Sequence, residues 1–252
     1  MAICSQQFQR KGLIAGLFLL TLLTGCGHHH ASRPPAAQAT APAETSGRIA
    51  ATPAPSEGID DDDLDYIAHH KPLLSETGYA SWYTAPYKGR KSANGQVFSD
   101  HALTAAHRTL PMGSLIVVTN LDTGQSSPMR ITDRGPFVED RLIDLTMASA
   151  KAVGVYRKGT AEVRIDVYKA QKPIASGGRW CVQIGALSSE SYAGSLKKQL
   201  IKKYPQAKVI EFPGEQSYWV RIRPEGDDRK EAEAIAKHVK LKEGRAYLTR
   251  LD

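Results

Sequence analysis

The chain has 252 residues, a hydrophobic fraction of 41% and a formal net charge of +7. That length admits one large domain or two small ones, with enough apolar residues to build their cores. Cys4 and Cys26 fall in or beside an N-terminal leader, leaving Cys181 alone, so a disulfide framework is excluded and no cysteine pair suggests a zinc site.

The first 25 residues carry no acid and place Arg10 and Lys11 ahead of the apolar run GLIAGLFLLTLLTG. A basic start followed by an apolar stretch too short for a comfortable membrane span is the pattern of an export signal. The run ends in Leu23-Thr24-Gly25-Cys26, which resembles a bacterial lipobox with cleavage before Cys26 and acylation of its thiol. An ordinary signal peptide with a coincidental cysteine fits that spacing less well. The lipid would anchor the protein to the membrane without spanning it. Gly27 stands where aspartate marks inner-membrane retention in Gram-negative bacteria, so the resemblance implies the outer membrane, facing the periplasm.

Residues 26–75 are expected to form the lipidated end and a disordered linker, because Ala, Pro, Ser and Thr bury too little apolar surface to offset ordering entropy. Such a segment spans on the order of 40 Å as a coil. His28, His29 and His30 in it read as incidental, and the acid run IDDDDLD as a solvated spacer, since no EF-hand spacing follows. The positive charge therefore belongs to the folded parts, with twelve bases against nine acids over 76–170 and fifteen against ten over 179–252. A carboxylate-bearing or polyanionic partner suits that balance. Nucleic acid would be the usual polyanion, but export argues against it.

Over 76–170 the segments GYASWY, LIVVTN, QSSPMRI and AEVRIDVY predict short strands, with NLDTG as a hairpin connection. One helix interrupts them, LTMASAKAVG, with Thr146 as cap and Gly154 as stop. Many short strands and one helix predict a mainly β barrel. A joint over 171–178 leads into strand, helix, strand, strand, helix, strand over 179–252, a split β-α-β arrangement of the α+β class. Its first helix carries a stripe of Ala193, Leu196 and Leu200, and its second opens with Asp228 and Glu231 at capping-box spacing. Alternation turns Val182, Ile184, Val220, Ile222, Ala246 and Leu248 towards these helices. Gln183, Trp219, Arg221 and Tyr247, with Cys181 beside them, then lie on an open face suited to glycan or a single strand. Packing of Trp219 and Tyr247 on a neighbour is the alternative.

The motif WCVQIGALSS and the element order after it resemble the SPOR domain, a peptidoglycan-binding module. That resemblance implies glycan strands stripped of stem peptides as ligand, enrichment at the division septum, and sugar contact by the face carrying Gln183. GYASWY, GRKSANGQVF, LTAAHRTLP, GSLIVVTNLDTG, RITDRGPF and RLIDLTMASAKAVG follow one another as in rare lipoprotein A proteins. The resemblance implies a six-stranded double-psi β-barrel and endolytic lytic transglycosylase activity on naked glycan strands, cleaving MurNAc-β-1,4-GlcNAc to a 1,6-anhydro end. In this reaction the C6 hydroxyl of MurNAc attacks its own C1, so the nucleophile is already positioned. A carboxyl must protonate the leaving oxygen and accept the hydroxyl proton.

The family pattern places its histidine at His107, its aspartate at Asp133 and its glutamate at position 96, which here is Gln96. An amide cannot carry the proton, so a glycan-binding protein of weak or no activity is the alternative reading. The resemblance implies Asp133 as the remaining acid/base, with a turn role in TDRGPF as the alternative. It implies His107 as a second proton carrier or substrate ligand, with a structural hydrogen bond beneath the loop as the alternative. Arg134 stands beside Asp133 and could pair with it. Asp144, near the helix start, reads as a structural cap; His101 and Asp100 read as surface; Trp82 and Tyr83 suit sugar stacking or core packing equally. No cofactor or metal is suggested, and no protein partner is legible.

Overall fold

The computed structural model describes residues 58–83, 89–213 and 217–252. The expected export signal, the expected lipobox with Cys26 and the histidine run lie outside the described residues. A helix α1 (Asp61–His69) occupies the acid run that was expected to be a disordered spacer. Asp60 caps it by accepting from the Asp63 amide at 2.8 Å, and Asp61, Asp62 and Asp63 fill the first turn, where negative charge is favoured by the helix dipole. Asp63 is buried and forms ion pairs with Arg130 and, at 3.5 Å, with Lys169, whose ammonium also lies 4.1 Å from the Tyr66 ring. The run orders because the following domain supplies two cations to one of its carboxylates. Composition alone cannot report that.

Six strands close into a barrel in the order β1-β5-β2-β4-β3-β6. They are β1 (Leu74–Trp82), β2 (Thr104–His107), β3 (Leu115–Asn120), β4 (Ser126–Asp133), β5 (Arg141–Leu145) and β6 (Ala161–Lys169). The pairs β1–β5 and β2–β4 are parallel and the others antiparallel. The β3–β4 hairpin turns at NLDTG, where the Gly124 amide donates to Asn120 O at 2.8 Å. Inward positions hold Ala80, Ala105, Ile116, Val118, Met129, Ile131, Ile143, Val163 and Ile165, all fully buried. Each large aliphatic side chain among them contributes about 1.5–3 kcal/mol. Helix α2 (Met147–Ala152) is capped by Thr146, whose hydroxyl oxygen accepts from the Ser149 amide. Asp144, expected as the cap, is instead a residue of β5.

The C-terminal part runs β7 (Trp180–Leu187), α3 (Glu190–Lys203), β8 (Lys208–Pro213), β9 (Tyr218–Arg223), α4 (Arg229–His238) and β10 (Arg245–Arg250). Its antiparallel sheet has the order β10-β7-β9-β8. Ser189 and Asp228 cap the two helices. Val182, Ile184, Val220 and Ile222 meet Ala193, Leu196, Leu200, Ala232 and Ile235 in one core, as alternation and helical period predict.

The buried carboxylate of α1 yields a stability test. Asp63→Ala strips Arg130 and Lys169 of their shared partner, at a cost of about 1.5–3 kcal/mol and a thermal midpoint lower by about 3–12 °C. The exposed Asp62→Ala should cost under about 1 kcal/mol. Melting curves followed by circular dichroism would show equal, negligible effects if the acid run were a solvated spacer.

Candidate active site

The short strand β2 lies between β5 and β4, and it sets the site. Ala106 is the register partner of Asp144 on one side and of Asp133 on the other, and Ser81 of β1 is the partner of Asp144. Partners across a sheet share a face. Ser81, Asp144, Ala106 and Asp133 therefore form one row across four adjacent strands. The register of β2 against β4 slips by one residue at Thr132, a bulge that turns Asp133 into the row. Only a methyl group stands between the two carboxyl-bearing positions. Gly135, at φ 143°, passes close by; a Cβ there would lie 3.9 Å from Ala106 Cβ and from Asp144 Oδ2.

Asp133 Oδ1 accepts from the amides of Ala93 at 3.0 Å and Arg134 at 2.8 Å. Burial raises its pKa above the ordinary carboxylate value, against the opposing pull of these bonds and of the Arg134 charge, and the neighbouring Asp144 adds to the rise. Asp144 Oδ1 accepts from the Ser81 hydroxyl at 2.6 Å and lies 3.6 Å from Arg141 Nη1. Its pKa is also raised, again by burial first. Two neighbouring carboxyls that both resist ionisation form a proton-transfer pair in chemical type. Asp144 is the member that sequence reasoning missed. The alternation of RLIDL turns it away from the core, but its pairing with Ser81 and Ala106 comes from the barrel topology.

The loop that carries Gln96 folds over the end of β4. The Asn94 amide donates to Thr132 O at 3.1 Å, the Ser92 amide to Gln96 O at 2.8 Å, and the Asn94 side chain to Gln96 Oε1. Gln96 is half-buried and shares this loop with Ala93, which bonds Asp133. The fold thus gathers positions 96 and 133.

His107 stands apart from the row. It follows Ala106, so its side chain points to the opposite side of β2, where it is 2% exposed. Its Nδ1 accepts from the amides of Thr109 at 3.2 Å and Leu110 at 3.0 Å, while Nε2 lies 3.4 Å from Glu76 Oε2. With Nδ1 accepting, the ring proton sits on Nε2 and donates to Glu76. Burial lowers the His107 pKa despite Glu76, and the histidine bond in turn lowers that of Glu76. His107 is a neutral buried strut in this arrangement. Glu76, its partner, carries no motif that would single it out.

In the C-terminal sheet, the face that alternation left open is partly covered by the barrel. Gln183 is 2% exposed and accepts from Arg221 Nε at 2.8 Å, and Cys181 and Thr249 on the same face are also buried. Burial pushes the Cys181 thiol up to about 11. Trp219 lies flat on Gly185, where a Cβ would fall 1.6 Å from the indole. Phe137 meets Trp219 edge-on at 5.5 Å and Tyr247 at 5.9 Å, and the Arg108 guanidinium stands 5.7 Å from the Tyr247 ring. The expected open platform is thus corrected. Gln183 is enclosed, while Trp219, Arg221 and Tyr247 remain half-exposed. The apolar and planar groups of the barrel loop find there the surface they need to leave water. Trp82 and Tyr83 pack on Tyr156 and Phe98, at 4.8 and 5.0 Å between ring centres.

Known proteins divide the chain in the same way. A family model described as lytic transglycolase matches residues 75–165, and the SPOR domain model matches residues 176–250. The endolytic peptidoglycan transglycosylase RlpA of Vibrio cholerae is 46% identical over 100 residues, covering 40% of this chain and 38% of that protein. Its counterpart in Helicobacter pylori is 34% identical over 161 residues, covering 52% and 51%. The probable endolytic peptidoglycan transglycosylase RlpA of Synechocystis is 51% identical over 90 residues, covering 36% and 28%. The chain thus spans about half or less of the length of these curated relatives.

The histidine geometry makes a prediction independent of any reaction. Nitrogen-15 NMR should find His107 neutral and protonated on Nε2 well below the ordinary histidine midpoint of about 6.5. A ring charged at pH 6 would contradict the buried-strut assignment.

Proposed function

Because the chain belongs to the rare lipoprotein A family and carries a C-terminal SPOR domain, we propose that it is an endolytic peptidoglycan lytic transglycosylase acting on naked glycan strands. One observation carries this reading: two carboxyls of raised pKa flank Ala106 in a single row. Asp133, protonated, delivers its proton to the glycosidic oxygen as the C1–O4 bond breaks. The C6 oxygen of MurNAc bonds to C1, and its proton returns to Asp133. Water enters no bond, so the product carries a 1,6-anhydro ring. Asp144 disfavours the doubly ionised pair and thereby keeps a proton available. Gln96 takes no part in the transfer; its amide orients the substrate, with an acetamido group as the natural partner. His107 supports the strand from behind.

In the C-terminal domain we assign glycan contact to Trp219, Arg221 and Tyr247, with Gln183 holding Arg221 in place. Cys26 would carry the lipid, tethering the enzyme at the outer membrane where the SPOR domain draws it to septal glycan. Gln96 favours a second reading, a lipoprotein that grips glycan without cutting it. Loss of a general acid typically costs roughly 10²–10⁴ in rate.

The two readings separate on amidase-stripped glycan incubated with the full chain, with 1,6-anhydro-MurNAc ends counted by mass spectrometry. The native chain should produce them, with Asp133→Asn slower by about 10²–10⁴ and Asp144→Asn impaired less. Activity should fall as pH rises through the raised Asp133 pKa, since only the protonated acid can donate. No anhydro ends from the native chain, but cleavage by Gln96→Glu, would establish the binding protein instead.

A further inference from the structure

Arg134 follows Asp133 directly, and a guanidinium so close to a carboxylate would ordinarily pair with it. It does not fold back. Its Nε donates to Arg250 O at 2.5 Å, Nη2 to Asp252 O at 2.8 Å and Nη1 to His107 O at 3.0 Å. Two of these three acceptors belong to the C-terminal domain. The same junction holds the Arg250 amide on Arg108 O at 2.9 Å, Phe137 against Trp219 and Tyr247, and an Arg245–Glu139 ion pair.

We propose that the C-terminal domain is part of the proton-transfer site: its main-chain oxygens at Arg250 and Asp252 hold the Arg134 guanidinium away from Asp133, which makes Arg134 a positioning residue through which domain docking governs that acid. The functional weight of this linkage rests on reading Asp133 as the proton donor. Its electrostatics do not.

The charged and titratable groups around the pair are few. Asp133 faces Arg134 from its own loop and Asp144 from β5, besides the amides of Ala93 and Arg134. Arg134 faces Asp133, Arg250 and Asp252, with Cys181 from β7 behind. Asp252 is already engaged, by Lys172 at 2.6 Å and Arg250 at 3.0 Å. Burial and the like charge of Arg250 lower the Arg134 pKa to about 10, so the guanidinium is held there against its own solvation preference. If the domain undocks, both main-chain acceptors leave and Asp133 becomes the nearest anion. A close cation pulls a carboxylic acid down by about 1–3 pH units, and an acid lowered so far is ionised across the working range. Docking therefore keeps the donor protonatable, and undocking disables it.

The test is carbon-13 NMR titration of the Asp133 carboxyl in the full chain, with hydrogen exchange at the Arg250 amide reporting docking. In Phe137→Ala/Arg245→Glu, which removes the aromatic contact and sets two acids against each other, the Arg250 amide should exchange freely. The Asp133 midpoint should then fall by about one pH unit, and adding Arg134→Gln should restore it. An unmoved midpoint with a freely exchanging Arg250 amide would overturn the proposal. Arg134→Gln alone provides a check that does not require undocking. It should move the midpoint by less than about half a unit, whereas a rise of a full unit or more would mean that Arg134 already pairs with Asp133. A chain that titrates as expected yet releases no anhydro ends would refute the lyase reading and leave the linkage standing.

Discussion

The candidate site of the barrel depends on how one four-residue strand is flanked. β2 runs parallel to β4 and antiparallel to β5, so a single side chain, Ala106, has an aspartate beside it on each neighbouring strand. The bulge at Thr132 is what brings Asp133 rather than its predecessor into line. Around that row the rest follows: Ser81 steadies Asp144, the 92–96 loop supplies an amide to Asp133, and Gly135 lets the chain pass without filling the gap. A larger residue than alanine at 106 would occupy the space between the carboxyls.

The second organising contact is between the two folded parts. Arg134 links the residue next to Asp133 to the backbone of the last residues, and Phe137 sits against the aromatic pair of the C-terminal sheet. The face that alternation leaves open on the C-terminal sheet is therefore the face that holds the barrel loop. Half-exposed aromatic rings suit that contact because they offer apolar, planar surface. The enclosed Cys181 and Gln183 beneath it are consequences of the docking, and burial keeps the thiol inert.

Local signals were legible wherever the physics is local. The stripe Ala193, Leu196, Leu200 predicted the buried side of α3, Thr146 and Asp228 predicted caps, and NLDTG predicted a hairpin. The resemblance pointed to positions 96 and 133, and the loop that carries Gln96 also carries Ala93, whose amide donates to Asp133. Signals that depend on a distant partner failed. The acid run read as a spacer because Arg130 and Lys169 lie far along the chain from Asp63. The open face closed because alternation names the side of a sheet but not what covers it. For His107 the sequence left a proton-carrying and a structural role open, because it cannot show which side of β2 the ring takes or that two amides donate to its Nδ1.

By itself, then, the sequence determined the division into a β barrel and a split β-α-β domain, the residues that face each core, and the amide at position 96, where the resemblance implies a glutamate. These follow from periodicity, from turn and cap chemistry, and from residue identity at a motif position. Only the tertiary structure decided that Asp144 joins Asp133 across Ala106, that His107 turns away to Glu76, and that Arg134 points to the C-terminal main-chain oxygens. Each of these rests on groups far apart in the chain, on strand order, register and domain contact, where burial and the direction of a hydrogen bond set the charge state of a carboxyl.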